Sequence, residues 1–310
     1  TCVFRSSLDL AVREVLEQLA SARKTFTLAV EGNELKLTNL DKVLWPATAE
    51  EPALTKRDLL AYYARMAPWL LPHLRDRPVT LTRYPNGITG SFFYQKHFEA
   101  APPFVETIEA HSETGGGDQT YLLCNNLATL LWLGQMADLA LHTSLARVSE
   151  EPDGRGLSRT FTGSREQVEA SLLNYPDFLL FDLDPYIYAG TEGAGEEPEL
   201  NAEEWQVTVR VARWLKGLLD AASLASFVKT SGATGLHIYV PVTRQYDYAT
   251  IRALCETFGG FLRQAHPEAV TMDWSVPKRA GKVFLDHNQN ARFKNLAAPF
   301  SPRAKPGAPV

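Results

Sequence analysis

The 310-residue chain has only three cysteines, Cys2, Cys124 and Cys255, widely scattered and without CxxC spacing. An odd, dispersed set builds neither a disulfide framework nor a zinc site, and reads as incidental or buried thiols of a reducing compartment. No apolar run approaches the roughly 20 residues of a membrane span, so no membrane partner is expected. The opening stretch has no apolar signal core, from which an intracellular, cytoplasmic protein is expected, its chain beginning inside a longer precursor. The GK[ST] ending of a P-loop is missing. Positive charge is not in excess either: 31 basic against 36 acidic residues leave a net charge of -5, which excludes a wholly basic nucleic-acid coat.

The charge that is present is unevenly placed. From Lys278 to Lys305 there are seven basic residues and one acid, Asp286, whereas Thr191 to Glu204 holds six glutamates and no basic residue. Such polarisation suits a polyanionic ligand held on one side.

Periodicity predicts an amphipathic helix over Leu8–Lys24, so that residues 1–24 form an extension to a body spanning 25–300, with a Pro-rich arm or linker at 301–310. Phe26–Leu37 reads as a hairpin around a Gly32-Asn33 turn, and Thr38–Pro46 as irregular. Thr55 caps a helix, with Asp58 reaching back, that runs to Leu71 before Pro72 stops it. A strand over Arg77–Arg83 follows, then a mobile loop over Glu113–Gln119, a second helix over Tyr121–Met136 and a strand over Ala137–Thr143. Further on come a surface insert at Tyr188–Leu200, a helix capped by Asn201 and running to Ala222 with Val207, Val211, Trp214, Leu215 and Leu218 inward, and strands at Ser226–Thr230 and Leu236–Pro241. A helix over Tyr248–Gln264 and a strand over Lys282–Asp286 complete the pattern. Strands alternate with helices but hairpins also occur, so the class is α+β with mixed sheets, not a doubly wound array.

One stretch organises the chemistry. Phe178–Pro185 runs four apolar residues into Asp182-Leu183-Asp184 and stops at proline, which reads as a buried strand ending at a site. Alternation puts both aspartates on one face, where two carboxylates repel unless a cation lies between them. The pair is a metal platform or, more blandly, a strand end whose acids cap a turn. Asp286 ends another apolar strand in the same manner. Alone it is a cap or turn residue; with the other two it makes a set of hard oxygen donors for two magnesium or manganese ions.

Other segments fit an anionic, base-bearing ligand. Ser231-Gly232-Ala233-Thr234-Gly235-Leu236-His237 is either a phosphate loop, with Ser231 and His237 adding donors, or an ordinary turn with a buried histidine. His142 is a second phosphate donor or a satisfied core histidine. Phe92, Phe93, Lys96 and His97 interleave aromatic and basic groups in the way that holds an unpaired base, although aromatic strands are also core. Lys42 and Lys56 stand where helix amides and an ammonium could hold a terminal phosphate, or are simply solvated.

The segments LTNLDKVLWPA, RPVTLTRYPNG, FFYQKH, LALHTS, FLLFDLDP, KTSGATGLHIYVP, RAGKVFLDHNQN and APFSPRAKPGAPV together resemble the polymerase domain of bacterial ligase D, in the archaeo-eukaryotic primase superfamily, and its stand-alone primase-polymerase relatives. The resemblance covers nearly everything from Leu35 onward. It implies a primase-type fold with an RRM-like sheet and a second packed α/β layer. It also implies template-dependent nucleotide addition in non-homologous end joining, with two manganese or magnesium ions and a preference for ribonucleotides. Carried over by position, Asp182, Asp184 and Asp286 would bind the metals; His142, Ser231, His237, Lys282 and Arg303 would surround the triphosphate of an incoming NTP or dNTP, with Arg279 nearby. Lys42 and Lys56 would hold the 5′-phosphate of a gapped or broken DNA end, with Arg83 also on the DNA, and Phe92 and Phe93 would stack at the templating position beside Lys96. A Ku-type end binder and a DNA ligase are implied as partners, in the nucleoid. Two departures stand out: Thr234 occupies the place where the family's SGxKG loop has lysine, and Ala291–Leu296 differs from the usual Thr-rich text. Rival readings are a primase starting chains without a primer, a non-catalytic 5′-phosphate-binding module, and a metal-dependent nuclease.

Overall fold

The computed structural model describes residues 2–112, 116–186 and 202–310, and separates into two compact units, Thr1–Val148 with Thr160–Val168 and Asn295–Val310, and Ser149–Arg159 with Glu169–Lys294. Among the described residues no helix is long and apolar enough to cross a membrane.

In the first unit, helix α1 (Cys2–Leu19) begins earlier and ends earlier than its periodicity suggests. Strands β1 (Phe26–Val30) and β2 (Asn33–Leu37) form the expected hairpin, each burying alternate residues. Its two-residue loop is Glu31-Gly32, at φ 49° and 75°, not Gly32-Asn33. Two successive positive φ values match the right-handed strand twist, and glycine takes the second without steric cost. The next segment is not wholly irregular, because β3 (Val43–Trp45) pairs antiparallel with β4 (Leu54–Thr55).

Helix α2 (Lys56–Leu74) opens with the capping box read from the sequence: Thr55 accepts from the Asp58 amide, and Asp58 Oδ2 accepts from the Thr55 amide at 2.7 Å. It does not stop before Pro72, but runs through Pro68 and Pro72. An interior proline costs a helix about 3 kcal/mol. Two cost about 6 kcal/mol, and burial of Leu59, Leu60, Leu70, Leu71 and Leu74, at about 1.5–3 kcal/mol for each side chain, outweighs this.

Strands β5 (Pro78–Arg83), β6 (Phe93–Gln95), β7 (Glu106–Ser112), β8 (Gly117–Leu123) and β9 (Asp138–Thr143) join the short strand Leu296–Ala297 in a six-stranded antiparallel sheet. Tyr121–Leu123 therefore belongs to β8, and helix α3 is only Leu127–Gln135. Asn126 sets its start, its side chain accepting from the Thr129 amide at 2.7 Å. Of the expected loop Glu113–Gln119, residues 113–115 lie outside the described residues and Gly117–Gln119 is strand. One helical turn, α4 (Arg165–Glu169), follows. The Pro-rich tail is laid along this unit, with Trp45 Nε1 donating to the Arg303 carbonyl at 2.9 Å.

The second unit is a five-stranded sheet with two helices on one face. Its elements are β10 (Phe178–Tyr186), α5 (Ala202–Ala221), β11 (Phe227–Thr230), β12 (Leu236–Pro241), α6 (Tyr248–Ala265), β13 (Val270–Thr271) and β14 (Lys282–Asp286). The strand order is β11-β12-β10-β14-β13, antiparallel except for the parallel β13–β14 pair. Leu179, Phe181, Leu183, Ile238 and Leu285 pack against Val211, Leu215, Ile251 and Cys255 of the helices. In α5 the buried stripe is Glu204, Thr208, Val211, Leu215 and Leu219, rotated from the expected one, so that Val207, Trp214 and Leu218 are only partly buried. The insert Tyr188–Leu200 and the Asn201 cap lie outside the described residues.

Candidate active site

Strand β10 is central, and its register decides what its acids meet. Asp182 stands opposite Asp286 on β14 and opposite His237 on β12, which in turn stands opposite Lys229 on β11. Directly opposed residues share a face. Four neighbouring strands thus carry Lys229, His237, Asp182 and Asp286 in one row, on the face away from α5 and α6. Asp184, two residues along β10, shares that face.

Two carboxylates directly opposite each other destabilise a strand pair, and Asp182 and Asp286 are only 5% and 6% exposed. Their neighbours moderate the conflict. Asp182 Oδ1 lies 3.3 Å from His237 Nε2. Asp286 Oδ1 accepts from the Asn288 amide at 2.9 Å and caps the turn His287–Gln289. The cap reading of Asp286 is therefore what the turn shows, with the carboxylate also opposite Asp182. No three His, Cys, Asp or Glu side chains among the described residues form a ready-made ligand array. Three hard oxygen donors concentrated on two adjacent strands nonetheless fit magnesium or manganese in donor type and charge.

The loop between β11 and β12 packs against this row. Ser231 Oγ accepts from the amides of Ala233 at 3.1 Å and Gly235 at 3.0 Å, while the Ser231 amide donates to the Gly235 carbonyl at 2.9 Å. Those two loop amides are thus spent on Ser231, and the loop is closed before any anion arrives. A Cβ at Gly235 would collide with the Leu183 carbonyl and stand 2.9 Å from Asp184 Oδ1, so the glycine is required by the approach to β10.

Asn290 is the residue that sequence reading passes over. It is 1% exposed; its Oδ1 accepts from the Leu180 amide at 2.9 Å, and its Nδ2 donates to the carbonyls of Leu180 at 2.7 Å and His287 at 3.1 Å. After β14 ends at Asp286, this side chain serves Leu180 as a strand partner would and ties the turn beyond Asp286 to β10. An asparagine four residues after a strand-ending aspartate is the only signal the sequence offers.

Arg279 also has a defined task. Its guanidinium donates to the carbonyls of Asp273 and Trp274 and to Tyr186 Oη at 2.7–2.8 Å and lies 3.6 Å from the Phe284 ring centroid, so it pins the segment leading into β14. Lys282 Nζ donates to the Pro267 carbonyl at 2.6 Å. Burial pushes the Cys255 thiol well up, reinforced by Asp286, so it is an inert packing group.

The remaining expected residues belong to the first unit. Lys42, Lys56 and Arg83 form a basic group there. Burial first, then the charges of Lys42 and Arg83, lowers the Lys56 pKa to about 8. Lys56 Nζ donates to the Gln135 carbonyl at 3.0 Å, and Lys42 Nζ to the Pro85 carbonyl at 2.6 Å and Asn86 Oδ1 at 3.0 Å. The Arg83 guanidinium lies 5.1 Å from the Phe93 ring centroid, and Phe92 stacks on Tyr84 at 5.0 Å. Phe92 and Phe93 are 50% and 45% exposed, so this aromatic strand is not core, and Lys96 is exposed beside them. His142 is half-buried, its Nδ1 2.9 Å from the Ala140 carbonyl, and Arg303 lies close enough to act on the Tyr84 phenol.

A family model described as the primase-polymerase domain of LigD matches residues 55–310. The chain belongs to the LigD primase-polymerase family. The multifunctional non-homologous end joining DNA repair protein LigD of Mycobacterium tuberculosis is 34% identical over 270 residues, which are 87% of this chain and 31% of that protein. The bifunctional non-homologous end joining protein LigD of Bacillus subtilis is 27% identical over 272 residues, 87% of this chain and 37% of that protein. The chain thus spans about a third of the length of these LigD relatives. The solved polymerase domain of Mycobacterium tuberculosis ligase D, in complex with DNA, superposes with a TM-score of 0.71 at 32% identity, covering 87% of this chain and 83% of that one. The fold is accordingly the archaeo-eukaryotic primase fold shared by LigD polymerase domains.

Proposed function

We propose that this chain is a template-directed nucleotidyltransferase that fills gaps and extends ends carrying a 5′-phosphate during non-homologous end joining, with ribonucleotides preferred. The observation that carries the reading is the opposition of Asp182 and Asp286 across β10 and β14, with Asp184 beside them, on the face of the sheet away from α5 and α6. A buried pair of like charges is retained at a cost, which a cation-binding role explains and a purely structural one does not.

Bound to Asp182, Asp184 and Asp286, two manganese or magnesium ions would neutralise the triphosphate and lower the pKa of the primer hydroxyl. The chain's own residues supply position. His237 orients Asp182, and Asn290 holds the turn beyond Asp286 to β10. Gly235 lets the β11–β12 loop lie against Asp184, where Ser231, His237 and Lys282 meet the nucleotide phosphates. In the first unit, Lys42, Lys56 and Arg83 hold the 5′-phosphate, and the exposed rings of Phe92 and Phe93 stack on template bases beside Lys96. A Ku-type end binder and a DNA ligase are the partners such an activity requires.

The test is incorporation on a 5′-phosphorylated gapped duplex, with manganese and magnesium supplied separately and ATP compared with dATP. The wild type should lengthen the primer, and Asp182→Ala should lower the rate by at least a thousandfold while 5′-phosphate binding persists. Equal extension by the variant overturns the assignment. Shortening of the strand would identify a nuclease, primer-free synthesis a primase, and end binding without incorporation an inert module.

A further inference from the structure

We propose that Lys229 is a triphosphate-binding residue of this site, supplying from β11 the cation that the Ser231–Gly235 loop does not carry. The inference rests on the nucleotidyltransferase reading and extends it to a residue outside the acidic set. The register puts Lys229 directly opposite His237, which is directly opposite Asp182. With strands 4.7–4.9 Å apart, Lys229 stands about 9.5 Å across the sheet from Asp182, on the same face. A polyphosphate reaching outward from the acids over His237 comes within range of its four-carbon stem.

Neither the loop nor Arg279 supplies a cation on the His237 side of the acids. The loop Ser231-Gly232-Ala233-Thr234-Gly235 contains no basic residue, and Thr234 is buried within it. The Arg279 guanidinium is locked by hydrogen bonds to Asp273, Trp274 and Tyr186, and Lys282 approaches from β14, on the other side of β10 from Lys229. Lys229 Nζ donates to the carbonyl of its own neighbour, Thr230, at 2.8 Å, at the rim of the sheet. Exchanging that bond for a phosphate oxygen replaces a contact to a neutral acceptor with a fully charge-assisted one.

An edge-strand lysine also deters unwanted strand pairing, and β11 is an edge. Edge protection needs only a charge; triphosphate binding needs a positive one. The experiment therefore compares Lys229→Gln, Lys229→Glu and Lys229→Arg by calorimetric titration with ATP, tripolyphosphate and AMP, and by incorporation kinetics. Gln should weaken ATP and tripolyphosphate about tenfold and raise KM for ATP equally, with kcat within twofold; AMP affinity and 5′-phosphorylated DNA binding should be unchanged. Glu should weaken them further, and Arg should restore them. Adding Thr234→Lys to Lys229→Gln should recover part of the loss. Wild-type ATP affinity in the Gln and Glu variants, with the wild type incorporating normally, overturns this proposal alone. A wild type that neither binds ATP nor incorporates it overturns the nucleotidyltransferase reading and this inference with it.

Discussion

Replacing Asn290 with alanine should damage both the fold of the second unit and its chemistry, by amounts that follow from the bonds it makes. The Leu180 amide would lose its acceptor in a residue that is 0% exposed, and an unsatisfied buried donor costs about 1–3 kcal/mol. The Leu180 carbonyl would keep the weak Cys255 Sγ donor at 3.2 Å, and the His287 carbonyl would lose a bond worth about 0.5–1.5 kcal/mol. The sum is about 1.5–4.5 kcal/mol, which urea unfolding followed by tryptophan fluorescence would measure. The same turn carries Asp286, and a misplacement of about 1 Å at a reacting centre costs on the order of a hundredfold in rate. Asn290→Ala should therefore extend primers about a hundredfold more slowly and need more manganese for half-maximal rate. Asn290→Asp, which keeps an acceptor for the Leu180 amide but sets a buried carboxylate against the Leu180 carbonyl, should be less stable than the alanine variant. A loss below about 0.5 kcal/mol in Asn290→Ala, or full incorporation by either variant, would refute the reasoning.

Asp286→Asn should melt at or above the wild type in EDTA, because it relieves an opposition worth up to about 1 kcal/mol while keeping a cap, but should gain less stability from manganese; a clear loss in EDTA contradicts the opposition. Lys56 should make 5′-phosphate binding fall as pH rises through about 8, the point at which the ammonium is lost, and Lys56→Met should flatten that profile. The sign for stability is opposite: because the folded pKa is depressed, the unfolded chain binds more protons between about 8 and 10.5, and the burden of the buried ammonium is present below that window and relieved across it. Phe93→Ala should weaken single-stranded template binding by about 1–3 kcal/mol in a fluorescence anisotropy titration, and no change would argue against stacking.

Strong local signals were legible in the sequence and long-range ones were not. The Thr55–Asp58 capping box, the strand running into Asp182 and the β11–β12 pair all follow from short-range chemistry. The β7–β8 hairpin was hidden because its glycines resemble a loop, and the apolar residues after Tyr121 extended the helix pattern back over strand. Pro72 misled for the converse reason, since a local breaker was outweighed by burial of its neighbours. For the site, the three acids could be named from strand ends, but their opposition depends on register between β10 and β14, about a hundred residues apart in the chain. The role of Asn290 was invisible for the same reason, as its partner Leu180 lies on another strand.

The division of labour between the two faces of β10 explains how such an arrangement persists. Phe181 and Leu183 face the helices and are fully buried, and Leu285 of β14 is buried with them. Burial of each contributes about 1.5–3 kcal/mol, more than the cost of one opposed carboxylate pair, so the strands remain paired while carrying a conflict on the other face. Strand alternation makes the two faces separable: residues that hold the sheet together are odd-numbered along β10 and β14, and those that can bind a cation are even-numbered. A one-residue slip between the strands would send the acids into the apolar layer, and the hydrophobic face thereby fixes the register that opposes Asp182 to Asp286.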